Sequence, residues 1–411
     1  MANMKPKKKM ANADKNALLK NMIAQINKDA GKTIIGIPAD DPDILESLKI
    51  KFIPTPSLTF NDAVGGGIPR GRETLLSGDP DSGKTTLVLE TIAKRQQEDP
   101  DFYALWLESE NSLKASFIFD YLHMDPKRFI VMNYVPSKSK SAEDYLDDVK
   151  SMIETGMFDI VVINSLKMLV PENDYDKDMK EETVAAQARM NSKLVRRMTP
   201  KVAEAKCAFV VIEHLTTQIG VYSPGGTPKG IAGGQAIKYW SALTIQLKSE
   251  FLKSEDPIKP EDGKKISVTV KKNHCMPEKN PYCKFDYYVR WGIGIDEKAP
   301  SLALAVEKGI IEKHGAWLWW MHEGSEEPFR KFRSKAEYLE VMDSEPDTWK
   351  QLCDELSGEA PKIENLSEQE IAAIEKEEAA QKAAAAKIEA EIKTEDEKLL
   401  DDIEKEKVKT A

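Results

Sequence analysis

The run Gly78-Asp79-Pro80-Asp81-Ser82-Gly83-Lys84-Thr85, a complete GxxxxGK[ST] phosphate-binding loop, constrains this chain more than any other feature. Such a loop works between a strand and a helix, because backbone N–H groups and the N-terminus of the following helix wrap the nucleotide phosphates. Both flanks are present. Thr74-Leu75-Leu76 reads as the entering strand, and the segment from Thr86 to Ala93 reads as the leaving helix. In that setting Lys84 reaches the β- and γ-phosphates and the Thr85 hydroxyl ligates Mg²⁺. Gly78, Asp79, Pro80, Asp81, Ser82, Gly83, Lys84, Thr85 and Thr86 are therefore the expected nucleotide cradle of a P-loop NTPase.

At 411 residues the chain has room for a large core and one or two smaller units. Its net charge of −10 excludes a protein that coats DNA through uniform basicity, but local basic groups suffice for nucleic acid. Much of the acidity lies at one end: residues 362–411 hold 15 acidic against 9 basic side chains. The four cysteines (Cys207, Cys275, Cys283, Cys353) show no CxxC spacing, which fits a reducing interior and disfavours a zinc site at His274, Cys275 and Cys283. Lys7, Lys8 and Lys9 are followed by no apolar signal-peptide core, and no apolar run is long enough for a membrane span. The expected location is the cytoplasm.

Residues 13–29 carry a helical apolar stripe at Leu18, Leu19, Met22, Ile23 and Ile26, ended by Gly31, and residues 32–56 read as a strand-like, proline-punctuated connection. From about 57 to 297 apolar strands alternate with helices. The strand candidates are 103–107, 129–132, 160–163, 208–212 and 243–247, and the clearest helix spans about 182–205. Near-continuous apolar strands between amphipathic helices predict a parallel sheet covered on both faces. The period then changes: 265–271 alternates, and 287–291 follows as its partner in an antiparallel extension. Residues 298–358 predict a small α+β module with a helix from Leu302 to Ile311, an aromatic strand Trp317–Trp320 and a last helix over 335–357. The Trp cluster reads as core before it reads as a base-stacking platform. Beyond Pro361, a capping box (Ser367, Glu370) opens an Ala-, Glu- and Lys-rich tail, helical or disordered.

Hydrolysis needs more than a cradle. A carboxylate must orient the attacking water, and Leu107-Glu108-Ser109-Glu110 offers two at one strand end. The 160–163 strand has the form of one that ends in a metal-associated aspartate, but it ends in Asn164-Ser165. An amide can hold a Mg²⁺-bound water while supplying no charge. Glu213-His214 ends the 208–212 strand where a γ-phosphate sensor belongs.

Taken in order, these pieces resemble the RecA family of homologous-recombination ATPases, which includes bacterial RecA and the UvsX-type phage recombinases. Ser57–Arg72 resembles the family's approach to the P-loop, "SLxLDxALGxGGxPxGR", and Gly78–Thr86 resembles "GPESSGKTT". Leu107–Leu113 is similar to "IDAEHAL". Ala188-Arg189-Met190 sits behind Leu169-Val170-Pro171 as the family's "ARM" sits behind "LTP". Gly233–Tyr239 resembles "GGNALKF", and Val306–Leu318 resembles the start of the bacterial C-terminal module.

The resemblance implies an α/β fold: a RecA-type P-loop ATPase core with a mostly parallel twisted sheet, a short N-terminal helix and a small α+β C-terminal module. The implied divisions are 1–56 as N-terminal helix and linker making a protomer contact, 57–297 as the core, 298–360 as the C-terminal domain and 361–411 as the tail. Glu110 becomes the catalytic carboxylate, with Lys84 and His214 beside it, Phe117 stacks near adenine, and Thr85 and Asn164 serve the metal. Two connections, about 172–183 and 216–232, become DNA-facing loops, with Arg189, Tyr222, Gly225, Gly226, Lys229, Gly233 and Gly234 as the DNA-binding residues. Lys271 and Lys272 reach a neighbouring subunit's nucleotide, with a register uncertain by one residue that brings His274 into consideration. The implied activity is a DNA-dependent ATPase that uses ATP and Mg²⁺, polymerises as a helical homo-oligomer on single-stranded DNA and pairs it with homologous double-stranded DNA. The departures are Asn164 for aspartate, Glu213-His214 for asparagine-glutamine, and Thr216, Thr217 and Gln218 where basic residues are expected. They bear on turnover and DNA grip, and they fit a phage or otherwise divergent origin.

Overall fold

A computed structural model describes residues 12–31, 33–137, 139–175, 186–217, 229–231, 235–253, 256–276, 282–322 and 327–358. The chain divides into two compact units, Met1–Asp343 and Ser344–Ala411. In the second, the described part is mainly one helix.

The chain opens with α1 (Asn12–Ala30) and α2 (Pro42–Leu48). Strand β1 (Phe52–Ile53) pairs antiparallel with β2 (Ile68–Pro69) across α3 (Leu58–Val64). Helix α3 is capped by the Ser57 hydroxyl, which accepts from the Phe60 N–H, and it ends at Gly65 in the left-handed region. Then come β3 (Glu73–Gly78), α4 (Lys84–Glu98), β4 (Ala104–Glu108), a π-turn at Ser116–Tyr121, β5 (Phe129–Asn133) and α5 (Ala142–Glu154). After β6 (Ile160–Asn164) a 3-10 turn (Leu166–Met168) leads to α6 (Glu172–Tyr175), α7 (Ala186–Ala205), β7 (Ala208–Thr217), β8 (Lys229–Ile231) and α8 (Gln235–Trp240). Strands β9 (Leu243–Glu250), β10 (Gly263–Asn273), β11 (Lys284–Arg290) and β12 (Gly294–Asp296) follow. The chain continues through α9 (Lys298–Glu307), β13 (Ile311–His314), β14 (Trp317–Trp320), β15 (Arg330–Phe332), α10 (Lys335–Ser344) and α11 (Pro346–Ser357).

The large sheet runs β12-β11-β10-β9-β3-β7-β6-β4-β5, with β8 added to β7. From β9 to β5 every neighbouring pair is parallel, and the β9–β12 meander is antiparallel. This is the predicted layout, and its cause is burial on both faces. Alternate residues of β4, β6 and β7 enter two separate apolar layers. Trp106, Val162 and Val210 pack on the α4 side, while Leu105, Val161 and Phe209 pack with α5 and α7. A parallel sheet so covered collects the C-terminal ends of β3, β4, β6 and β7 along one rim, where such sheets place ligands.

Some local expectations change. The strand-like reading of 32–56 misses α2, whose seven residues bear too short a pattern to show a period. The helix expected from Leu302 to Ile311 runs Lys298–Glu307, and Ile311 instead starts β13. Trp291 belongs to a turn, not to β11. The single last helix is two, because Pro346 cannot continue α10 and instead occupies the first turn of α11. Among the aromatics, Trp320 is buried while Trp317 is exposed on the same strand. The tail beyond residue 358, with Ser367 and Glu370, lies outside the described residues.

Candidate nucleotide site

The phosphate loop begins where β3 runs out. Gly78 leaves no room for a side chain, since a Cβ there would stand 2.4 Å from the Leu247 carbonyl oxygen and 2.4 Å from Ser82 Oγ. Gly83 at the start of α4 holds φ +86°, a conformation open to glycine and strained for other residues. The loop closes on its own lysine: Lys84 Nζ donates to the carbonyls of Gly78 (3.2 Å) and Asp79 (2.8 Å) and to Ser82 Oγ (3.3 Å). Burial pushes the Lys84 ammonium below its ordinary pKa, while the carboxylates of Glu110, Asp79 and Asp81 work against that shift. A buried cation at the N-terminus of a helix suits a polyanion.

The two acidic residues after β4 separate by environment. Glu108 is buried and occupied: Oε1 accepts from the backbone N–H groups of Glu110 and Ser112 and from Ser112 Oγ, and Oε2 accepts from Trp106 Nε1 and Asn164 Nδ2. A carboxylate so satisfied is a scaffold. Glu110 is held at its edges instead. Ser165 Oγ donates to Oε1 at 2.6 Å, and His214 Nε2 lies 3.2 Å from Oε2. Glu110 and Ser165 follow the ends of the neighbouring strands β4 and β6, and His214 lies within β7, which runs on to Thr217 past the end expected at residue 212, level with Gly78 at the end of β3. Ser165 and the scaffolding role of Glu108 are absent from the motif reading, because a serine after a strand and one of two nearby glutamates carry no signal without the neighbouring strand.

Asn164 lies at the end of β6, fully buried, with Nδ2 donating to Glu108 Oε2 and to Ser112 Oγ. That orientation leaves Oδ1 without a protein partner. A neutral oxygen acceptor on this strand, with the Thr85 hydroxyl at the start of α4, suits a hard cation that retains waters, as Mg²⁺ does. The residues present fit the metal. Glu213 points to the other face, is buried, and has its carboxyl pushed up to about 8 by burial.

Other expected residues lie around this centre. Phe117 sits on the π-turn, stacked on Tyr121 at 5.4 Å between centroids and packed against the core. Lys271 occupies a bulge in β10, so Lys272 and Asn273 resume the pairing with β9. Lys272 Nζ donates to the Tyr239 carbonyl at 2.8 Å, at the C-terminus of α8. By strand register, Lys271 and Lys272 lie at the end of β10 away from the same chain's phosphate loop, since Gly78 aligns with Leu247 and Leu247 with Val268. Arg189 is exposed on α7, and Lys229 starts β8. Tyr222, Gly225, Gly226, Gly233 and Gly234 lie outside the described residues.

The model of the RecA N-terminal domain matches residues 17–296, from α1 to the end of β12. The chain belongs to the RecA family. It is 30% identical to Protein RecA of Thermus aquaticus over 337 residues, which is 80% of this chain and 93% of that protein. It is 31% identical to Protein RecA of Saccharopolyspora erythraea over 319 residues, 77% of this chain and 86% of that one. With Protein RecA of Chlorobaculum parvum the identity is 31% over 299 residues, 72% and 80% of the two chains. The RecA-type core is thus the frame for the phosphate loop, the Glu110 cluster and the antiparallel edge alike. Among the described residues, no helix is long and apolar enough to cross a membrane.

Proposed function

We propose that this chain is an ATP-dependent DNA recombinase that assembles as a helical filament on single-stranded DNA and promotes pairing and strand exchange with a homologous duplex. The observation that carries the reading is the junction of Glu110, Ser165 and His214 from three adjacent strands, with His214 level with Gly78 where the phosphate loop of a RecA-family core begins. Lys84 neutralises phosphate charge, and Glu110 orients the attacking water and takes its proton. His214, tied to Glu110, senses the γ-phosphate, and β7 carries that state toward the 216–232 segment. Bound Mg²⁺, held through Thr85 and Asn164, supplies charge neutralisation at the transferring phosphoryl group.

Assembly follows from where the lysines are. Lys271 and Lys272 stand away from their own loop, so the nucleotide they serve belongs to a neighbour in a head-to-tail contact, which propagates as a helix when its rotation does not close. Residues 1–56 form the protomer contact, 57–297 the motor, 298–360 the C-terminal domain, and 361–411 an acidic tail. DNA is gripped through its backbone by Arg189, Lys229 and the glycines of the second loop, with little sequence preference and marked salt dependence. The protein acts in the cytoplasm, the host's if the chain is a phage's. Asn164, which brings no charge to the metal, favours a second reading: a nucleotide-dependent DNA scaffold with little turnover. ATP hydrolysis measured with and without single-stranded DNA separates the two. Strong stimulation supports the recombinase, and nucleotide-dependent filaments without turnover support the scaffold. A protein that stays monomeric on oligonucleotides with every nucleotide refutes both.

A further inference from the structure

We propose that Lys264 is a second cation of this chain's own phosphate site, a positioning residue that holds the crown of the loop and neutralises Asp81. The inference rests on the nucleotide reading of that loop and adds a residue that no phosphate-loop motif contains. Lys264 lies at the start of β10, at the opposite end of that strand from Lys271 and Lys272. Its Nζ donates to the Asp81 carbonyl at 2.8 Å, across 183 residues of chain, and stands 5.9 Å from the centroid of the Trp291 ring.

Asp81 needs such a partner. It is the fourth residue of the loop, exposed, at φ +58°, so the crown carries a non-glycine residue in left-handed backbone and an acidic side chain where polyphosphate arrives. Asp79 adds another acid to the same loop. Without a compensating cation, two carboxylates flanking the cradle oppose an anionic ligand. Lys264 answers both problems: its hydrogen bond fixes the crown carbonyl, and its charge faces the Asp81 carboxylate. Burial lowers its pKa and Asp81 opposes the shift, while Lys264 in turn contributes to lowering that of Lys84. The two lysines therefore share one electrostatic site. The ammonium uses one of its three donors on the loop.

The test is equilibrium binding of a fluorescent ATP analogue to the full chain without DNA, alongside steady-state hydrolysis, for Lys264→Met, Lys264→Arg and the double variant Lys264→Met with Asp81→Ser. The expected result for Lys264→Met is a loss of affinity of about tenfold, a matching rise in KM and little change in kcat. Lys264→Arg retains binding. Removing Asp81 restores most of the loss, because the two residues are energetically coupled. Lys264→Gln serves if the methionine variant does not fold, as judged by its melting transition. Binding in Lys264→Met or Lys264→Gln unchanged from the parent overturns the proposal, and so does a double variant as weak as the single one. A parent protein that binds no analogue refutes the nucleotide reading itself, a failure recognisable from the parent alone.

Discussion

The nucleotide loop lies between two regions of one sheet that are built differently. On the parallel side, Glu108 and Asn164 at the ends of β4 and β6 bond to each other and to Ser112, and Glu110 bonds to Ser165 and to His214 of β7. On the antiparallel side, β10 presents single charges, Lys264 at one end and Lys271 and Lys272 at the other, each bonded to backbone carbonyls or exposed. In the first region each polar side chain is held by others, the arrangement that positioned chemistry uses. In the second, Lys264 and Lys272 each reach one loop or helix-end carbonyl through a long flexible side chain. Both regions are interior to the sheet, β10 being paired to β9 and to β11, so the difference lies in how the side chains are held: clustered on one another across the parallel strands, and set singly along β10.

The largest effect expected on the parallel side is from Lys84→Ala, with nucleotide binding or turnover lost by orders of magnitude, read by analogue binding and phosphate release. Next, Glu110→Gln should spare nucleotide binding and cut kcat by about 10²- to 10⁴-fold. Hydrolysis by that variant at the parent rate would falsify the assignment of the carboxylate. Glu108→Gln sharpens the contrast between the two acids. It puts an N–H₂ group where five donors converge, so it should cost about 1–3 kcal/mol of stability in denaturant melts, and whatever activity it loses should follow unfolding. Asn164→Asp replaces the Nδ2 donor to Glu108 Oε2 with a carboxylate oxygen, so it should lower the melting temperature, while its added charge at the proposed metal position should lower the Mg²⁺ concentration needed for half-maximal hydrolysis by about a few-fold.

The smallest test concerns pH. Glu213 is pushed up to about 8, and Glu90 and Glu297 to about 7, in each case chiefly by burial. A carboxyl whose pKa is raised on folding favours the native state most at pH values below its unfolded pKa, and that contribution is lost as pH rises through the folded value. The melting temperature should therefore decline between pH 5 and 8.5, and Glu213→Gln should flatten the decline at its upper end. A melting temperature that rises across this window contradicts the burial argument.

Much of this was legible in the chain itself where the signal is local. The loop from Gly78 to Thr85 declares itself because each residue serves a backbone requirement within eight positions. The apolar runs of β4 and β6 are readable because burial on both faces removes polar residues from consecutive positions. Helix α2 was missed because seven residues show no stable period, and the break at Pro346 because apolar spacing continues across it. Within the site, the sequence offers Glu108 and Glu110 as equals. Their separation depends on Asn164, Ser165 and His214, which arrive from strands 50 to 100 positions away in the chain. Lys264 gave no signal at all, since a lysine in an alternating strand reads as solvated surface.

The order of residues alone determined that the chain carries a phosphate-loop motif as a strand–loop–helix unit in an α/β sheet, because those demands are met by neighbours in sequence. Only the tertiary structure decided which carboxylate is enclosed by five donors and which is held by Ser165 and His214, and which lysine of β10 meets the phosphate loop. Those properties belong to side chains brought together by strand register, and a hydrogen bond spanning 183 residues leaves no trace in the local pattern at either end.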